Sequence, residues 1–130
     1  MAIELNHTIV PAHDPVASAQ FLAGILGLQV GEPVAHFTPV LLNNRVTLDY
    51  DHSDEVAEHH YAFALSDAEW EAAFGRIRDA GITYYADPAC RRTGEVYTGK
   101  GGTRGTYFRD PNGHLMEILT IAAAGPEGSA

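Results

Sequence analysis

Four side chains in this sequence have types and spacings suited to holding a metal ion. Glu117 stands inside the apolar run Leu115-Met-Glu-Ile-Leu119. Buried alone, a carboxylate there is costly, so it calls for a cation, a hydrogen-bonding network or a face open to water. His7 and His60 each lie on a strand-like stretch seven residues before an acid that opens a helix, Asp14 and Asp67. Asp49 and Glu117 each follow a turn asparagine, Asn44 and Asn112, by five residues. Two imidazoles with one or two carboxylates suit a divalent first-row ion, Fe2+, Mn2+, Ni2+, Co2+ or Zn2+. Two histidines and one carboxylate leave coordination positions open for substrate or oxygen. Such an ion acts as a Lewis acid or activates dioxygen. Tyr107 is the candidate to supply a hydrogen bond or proton beside Glu117. Lys100 and Arg104 are candidates to clamp an anionic substrate from a neighbouring loop.

These residues need strands and turns to aim them. Ile3 to Val10 alternates and reads as a first strand, with His7 on the face of Ile3, Leu5 and Ile9. Asp14-Pro15 caps and starts a helix that runs to about Leu26, and Gly27 stops it. Strands are expected at 28–30, 36–42 and 45–50, with a turn at Asn43-Asn44. An acidic connection at 51–58 and a strand at 59–65 follow. Ser66-Asp-Ala-Glu69 is a capping box for a helix to Ala80, with Trp70, Ala73, Phe74 and Ile77 as its apolar stripe. Ile82 to Tyr85 reads as a short strand. Residues 86–102, with four glycines and one proline, read as a long loop of the kind that serves as a lid or flexible segment. A hairpin closes the chain, Thr103–Arg109 and His114–Ile121 around the turn Asp110-Pro-Asn-Gly113. The tail 123–130 reads as flexible.

Strand–helix–strands thus occurs twice. Setting His7 against His60 also pairs Asp14 with Asp67 and Phe21 with Phe74. Aligning the turns pairs Asp49 with Glu117. The repeat predicts that His7, Asp49, His60 and Glu117 converge on the concave face of a curved sheet.

Composition excludes some classes. At 130 residues, with 45% hydrophobic and 19% charged, the chain suits one soluble domain, 1–122, with modules of about 1–52 and 57–122. No apolar run reaches the ~18 residues of a membrane helix. A net charge of −9 argues against nucleic acid. Five of the eight basic residues nevertheless fall between positions 91 and 109, which is either a solvated loop or an attractor for an anionic small molecule. The lone Cys90 and the absence of a secretory pattern at the N-terminus point to the cytoplasm.

Leu5-Asn-His7, Asp14-Pro15 leading to Gly24-Ile-Leu-Gly-Leu28, His60-Tyr-Ala-Phe63 and Tyr107-Phe-Arg-Asp-Pro-Asn-Gly-His-Leu-Met-Glu117 together resemble the vicinal oxygen chelate superfamily. That superfamily includes glyoxalase I, bleomycin-resistance proteins, extradiol dioxygenases and fosfomycin-resistance enzymes. The resemblance covers nearly all of residues 3–121. It implies an α+β fold of two βαβββ modules and metal ligands at His7, His60 and Glu117. In glyoxalase-like members a fourth carboxylate falls at Asp49. It also implies a homodimer in which each site is shared between subunits. Subfamily markers are incomplete. Pro11 replaces the glutathione-binding arginine of glyoxalase-like enzymes, Ile9 replaces the threonine of fosfomycin enzymes, and 86–106 lacks the upstream histidine of extradiol dioxygenases. The expected function is a metal-dependent enzyme on a small oxygen-chelating substrate, dioxygenase-like or glyoxalase-, lyase- or isomerase-like. The alternative is a non-catalytic, bleomycin-resistance-like dimer that binds a small molecule.

Overall fold

Both helices form where their caps are written. In a computed structural model describing residues 3–121, α1 spans Pro15–Leu26 and α2 spans Asp67–Asp79. The Asp14 carboxylate accepts from the Ala17 amide at 3.1 Å, with Pro15 in the first turn. Gly27 closes α1 with φ 74°, a left-handed conformation that costs glycine nothing. At α2 the capping box is complete: Ser66 Oγ accepts from the Glu69 amide and the Glu69 carboxylate accepts from the Ser66 amide. These bonds hold the Glu69 carboxyl below its ordinary range, the Ser66 amide contributing most. The expected tail, 123–130, lies outside the described residues.

The fold is mixed α+β, and the chain divides into two compact units between Ala57 and Glu58. The first unit runs β1 (His7–Ala12), α1, β2 (Thr38–Leu41), β3 (Thr47–His52). Its sheet order is β1-β3-β2, with β1 parallel and β2 antiparallel to β3. An isolated bridge from Val30 to Val40 is all that forms of the strand expected at 28–30. β1 starts at His7 rather than Ile3 and continues through Pro11, which an edge strand tolerates because the missing N–H costs no ladder bond. Its buried residues are Val10 and Ala12, on the face opposite His7; Leu5 and Ile9 are exposed. The core of this unit adds Leu22, Ala19, Val40, Leu48 and Tyr50.

The second unit runs β4 (His60–Leu65), α2, β5 (Tyr84–Tyr85), β6 (Tyr97–Thr98), β7 (Arg104–Arg109), β8 (Leu115–Thr120). The sheet order is β4-β8-β7-β5, and β6 also pairs with β7. Trp70, Ala73 and Ile77 of α2 are buried, and Trp70 Nε1 donates to the Ile118 carbonyl at 3.0 Å. Most of segment 86–102 is tied down. Asp87 Oδ1 accepts from the amides of Arg91 and Arg92 at 2.9 and 2.8 Å, and the Gly94 amide donates to the Tyr84 carbonyl at 2.7 Å. Thr106 Oγ1 donates to the Tyr85 carbonyl at 2.9 Å.

Candidate metal centre

The closing turn sets the register. Asp110 is buried, and its Oδ1 accepts from the amides of Asn112 and His114, both at 2.9 Å. Gly113 takes φ 88°, while Asn112, also expected to tolerate that region, stays at negative φ. Arg109 donates to the Gly113 carbonyl at 2.9 Å and pairs with Glu58 at the same distance. From this turn β8 runs antiparallel to β7 and parallel to β4, placing Glu117 opposite Tyr107 on one side and Ala62 on the other. His60, two residues before Ala62, shares that face.

Glu117 is 8% exposed, and both carboxylate oxygens are engaged. Oε2 accepts from the Tyr97 hydroxyl at 2.5 Å, and Oε1 lies 3.1 Å from His60 Nε2. His60 Nδ1 is 2.9 Å from the Leu115 carbonyl. A carbonyl can only accept, so Nδ1 carries a proton. In a neutral ring Nε2 then presents its lone pair to the carboxylate. Two acceptors in contact need a proton or a cation between them, which is the donor chemistry a divalent metal fits. The Tyr97 and Tyr107 rings pack 5.7 Å apart, and Tyr107 lies 6.0 Å from the His60 ring. Burial first, and then Glu117, push both phenols above the ordinary tyrosine range, Tyr97 the further of the two. Both therefore remain O–H donors at neutral pH.

The first unit places its own pair in equivalent register. His60 pairs with Leu115, two residues before Glu117; His7 pairs with Thr47, two residues before Asp49. Contacts do not follow register. His7 Nδ1 lies 2.7 Å from Asn6 Oδ1, and Asp49 is half-buried between Ile9 and Pro39. Among the described residues, no group of three or more His, Cys, Asp or Glu side chains comes together within one chain.

The anionic clamp separates. Lys100 sits exposed in a 3-10 turn, Lys100–Gly102. Arg104 faces away from Glu117, with Thr106 and Phe108 on the α2 side of β7. Its guanidinium pairs with Glu71 and with Asp67 (3.3 Å), and lies 4.5 Å from the centre of the Trp70 ring. Arg92 pairs with Glu95. His114 is fully buried and accepts from the His59 amide at 3.0 Å.

Sequence reasoning passed over Tyr97. Its two-residue strand has no periodicity to read, but a signal was present on β7. A glycine inside a strand marks close approach of another group, and a Cβ at Gly105 would strike the Tyr97 ring.

A profile of the Glyoxalase/Bleomycin resistance protein/Dioxygenase superfamily matches residues 4–118. Among solved structures, Oxidase ChaP-H2 is 54% identical with a TM-score of 0.89, over 92% of this chain and 94% of that one. Oxidase ChaP-H1 is 49% identical with a TM-score of 0.89, over 95% of this chain and 100% of that one. Metallothiol transferase FosB from Shouchella clausii (strain KSM-K16) is 34% identical over 97 residues, 72% of this chain. The match spans 61% of that relative's length.

Proposed function

The chain belongs to the Glyoxalase/Bleomycin resistance protein/Dioxygenase superfamily, and on that premise we propose that it is a divalent-metal-dependent enzyme oxidising a small, oxygen-chelating molecule. The observation that carries this reading is the His60–Glu117 pair, with His60 held in the tautomer that leaves Nε2 free to coordinate. Similarity to two proteins named as oxidases favours oxidation over lyase or isomerase chemistry.

His60 Nε2 and Glu117 supply two donors in this reading. His7 is the third ligand and Asp49 a fourth candidate, with sites shared between two copies in a homodimer. The bound ion supplies Lewis acidity and a docking point for two adjacent substrate oxygens. The chain's own residues do the rest. The Leu115 carbonyl keeps the proton on Nδ1, and half-buried Tyr107 offers its hydroxyl as a hydrogen-bond donor to a substrate oxygen. The proposed setting is cytoplasmic; among the described residues no helix is long and apolar enough to cross a membrane.

The test is metal analysis followed by oxygen uptake. Protein purified without added metal should carry or reload one divalent ion per chain, and with iron(II) should consume oxygen in the presence of catecholic or hydroquinone substrates. Turnover with nickel, cobalt or manganese and no oxygen uptake would move the reading to glyoxalase- or isomerase-type chemistry. A chain that cannot be loaded is a binding protein. Mixing His7→Ala with Glu117→Ala protein should restore part of the metal loading if sites are shared, and none if they are not.

A further inference from the structure

We propose that Tyr97 is a positioning residue for Glu117 and that Gly105 exists in β7 to seat it. β6 and β8 lie on opposite sides of β7: Tyr97 pairs with Gly105, and Gly105 pairs in turn with Leu119. Two strand spacings separate β6 from β8 by about 10 Å. A tyrosine starting on β6 reaches a carboxylate on β8 only by lying flat across the strand between them. Gly105 leaves that path clear. A Cβ built there meets the Tyr97 ring at three atoms, its hydroxyl among them. Leu119 and Tyr107, on the same face, flank the crossing with full side chains, so the gap belongs to position 105.

The consequence falls on the carboxylate. With Oε2 accepting from Tyr97 and Oε1 turned to His60, Glu117 presents one oxygen to the space beside Nε2. Tyr97 thus favours coordination through a single oxygen and fixes the rotation of the carboxylate before any ion arrives. Burial keeps the phenol protonated and so keeps it a donor. The role rests on the metal reading above, but the Tyr97–Glu117 bond exists without the ion and is testable without it.

Four variants separate the parts. Tyr97→Phe keeps the ring in its seat and removes only the hydroxyl. Gly105→Ala keeps the hydroxyl and blocks the seat. The double variant Gly105→Ala/Tyr97→Ala removes ring and obstruction together and is compared with Tyr97→Ala. In metal-free protein the 13C resonance of the Glu117 carboxyl should shift in Tyr97→Phe and in Gly105→Ala. With cobalt(II) competed against a chelator, each should bind about 10- to 100-fold more weakly than wild type, the usual cost of losing a group that orients a ligand. The double variant should bind no more weakly than Tyr97→Ala. An unchanged Glu117 resonance in Tyr97→Phe, or unchanged cobalt affinity, overturns the positioning role. Further loss in the double variant makes Gly105 a general structural residue and overturns its assignment as the seat. If wild-type protein binds no cobalt, the metal reading and this role toward it fall together, whereas loss of affinity confined to the variants leaves both standing.

Discussion

His7 with Asp49 and His60 with Glu117 hold equivalent register in the two units, yet only the second pair is in contact. The backbone repeats; the surroundings do not. Across the hairpin from Glu117 stands Tyr107, a donor, whereas across from Asp49 stands Pro39, which brings no polar group. The second unit also has a long connection, 86–103, that returns a tyrosine over the sheet; the corresponding stretch of the first unit makes only isolated bridges, Val30 to Val40 and Val34 to Phe37. Repetition sets where a candidate ligand stands. Non-repeated neighbours set whether it is held ready.

The sharpest way to break this contrast is to remove one member of each pair. His60→Ala should abolish stoichiometric metal loading, while Asp49→Asn should weaken it by about tenfold or less, as for a supporting group. Equal losses by elemental analysis would make the two units equal contributors. The helices give the next largest difference. Trp70→Ala should cost about 3–5 kcal/mol and Leu22→Ala about 2–5 kcal/mol in urea unfolding. Because Trp70 also holds the Ile118 carbonyl, its loss should loosen β8 and lower metal affinity in the folded protein, whereas the Leu22 variant should keep it. The caps sharpen the likeness instead. Ser66→Ala and Asp14→Ala should each cost about 1 kcal/mol, showing two helices started with similar strength in units whose sites differ.

The smallest effect is a surface titration in the first unit. His52 faces an acceptor at each ring nitrogen, Asp54 Oδ1 at Nε2 and the His13 carbonyl at Nδ1, and the Asp54 hydrogen bond chiefly raises its pKa above 6.5. A raised imidazole pKa contributes stability that is complete below the unfolded value and lost as pH rises through the folded one. NMR titration should find His52 changing charge above pH 6.5, and Asp54→Asn should lower that midpoint. A midpoint that does not move would remove the pair from the account.

How much of this was legible followed the range of each signal. The caps were readable because Asp14 and Ser66 act within four residues. The pairing of Asp49 with Glu117 was readable because both hairpins count from an asparagine turn. The start of β1 was misjudged: alternation ran on through Ile3 and Leu5, but only pairing with β3 decides where a strand begins, and Pro11 proved no barrier at an edge. Arg104 was read by loop proximity, and strand parity turned it toward α2. Tyr97 depended on a glycine in another strand, a relation no local window contains.

The hairpin from Arg109 to Glu117 works as a reading frame. One residue inserted or deleted between Gly113 and Glu117 would exchange the carboxylate for Met116 or Ile118 on the working face. Two would keep the face and slide the acid along it by nearly 7 Å. Length changes between Ala86 and Glu95 leave that frame alone, since β5 and β7 pair directly with each other, and their cost falls instead on the Asp87 and Gly94 bonds that tie the segment down. The molecule therefore has a segment whose length is counted by Glu117 and a segment whose length is counted only by its own ties. Editing the second leaves Glu117 on its face, so long as an aromatic hydroxyl still lands on Gly105.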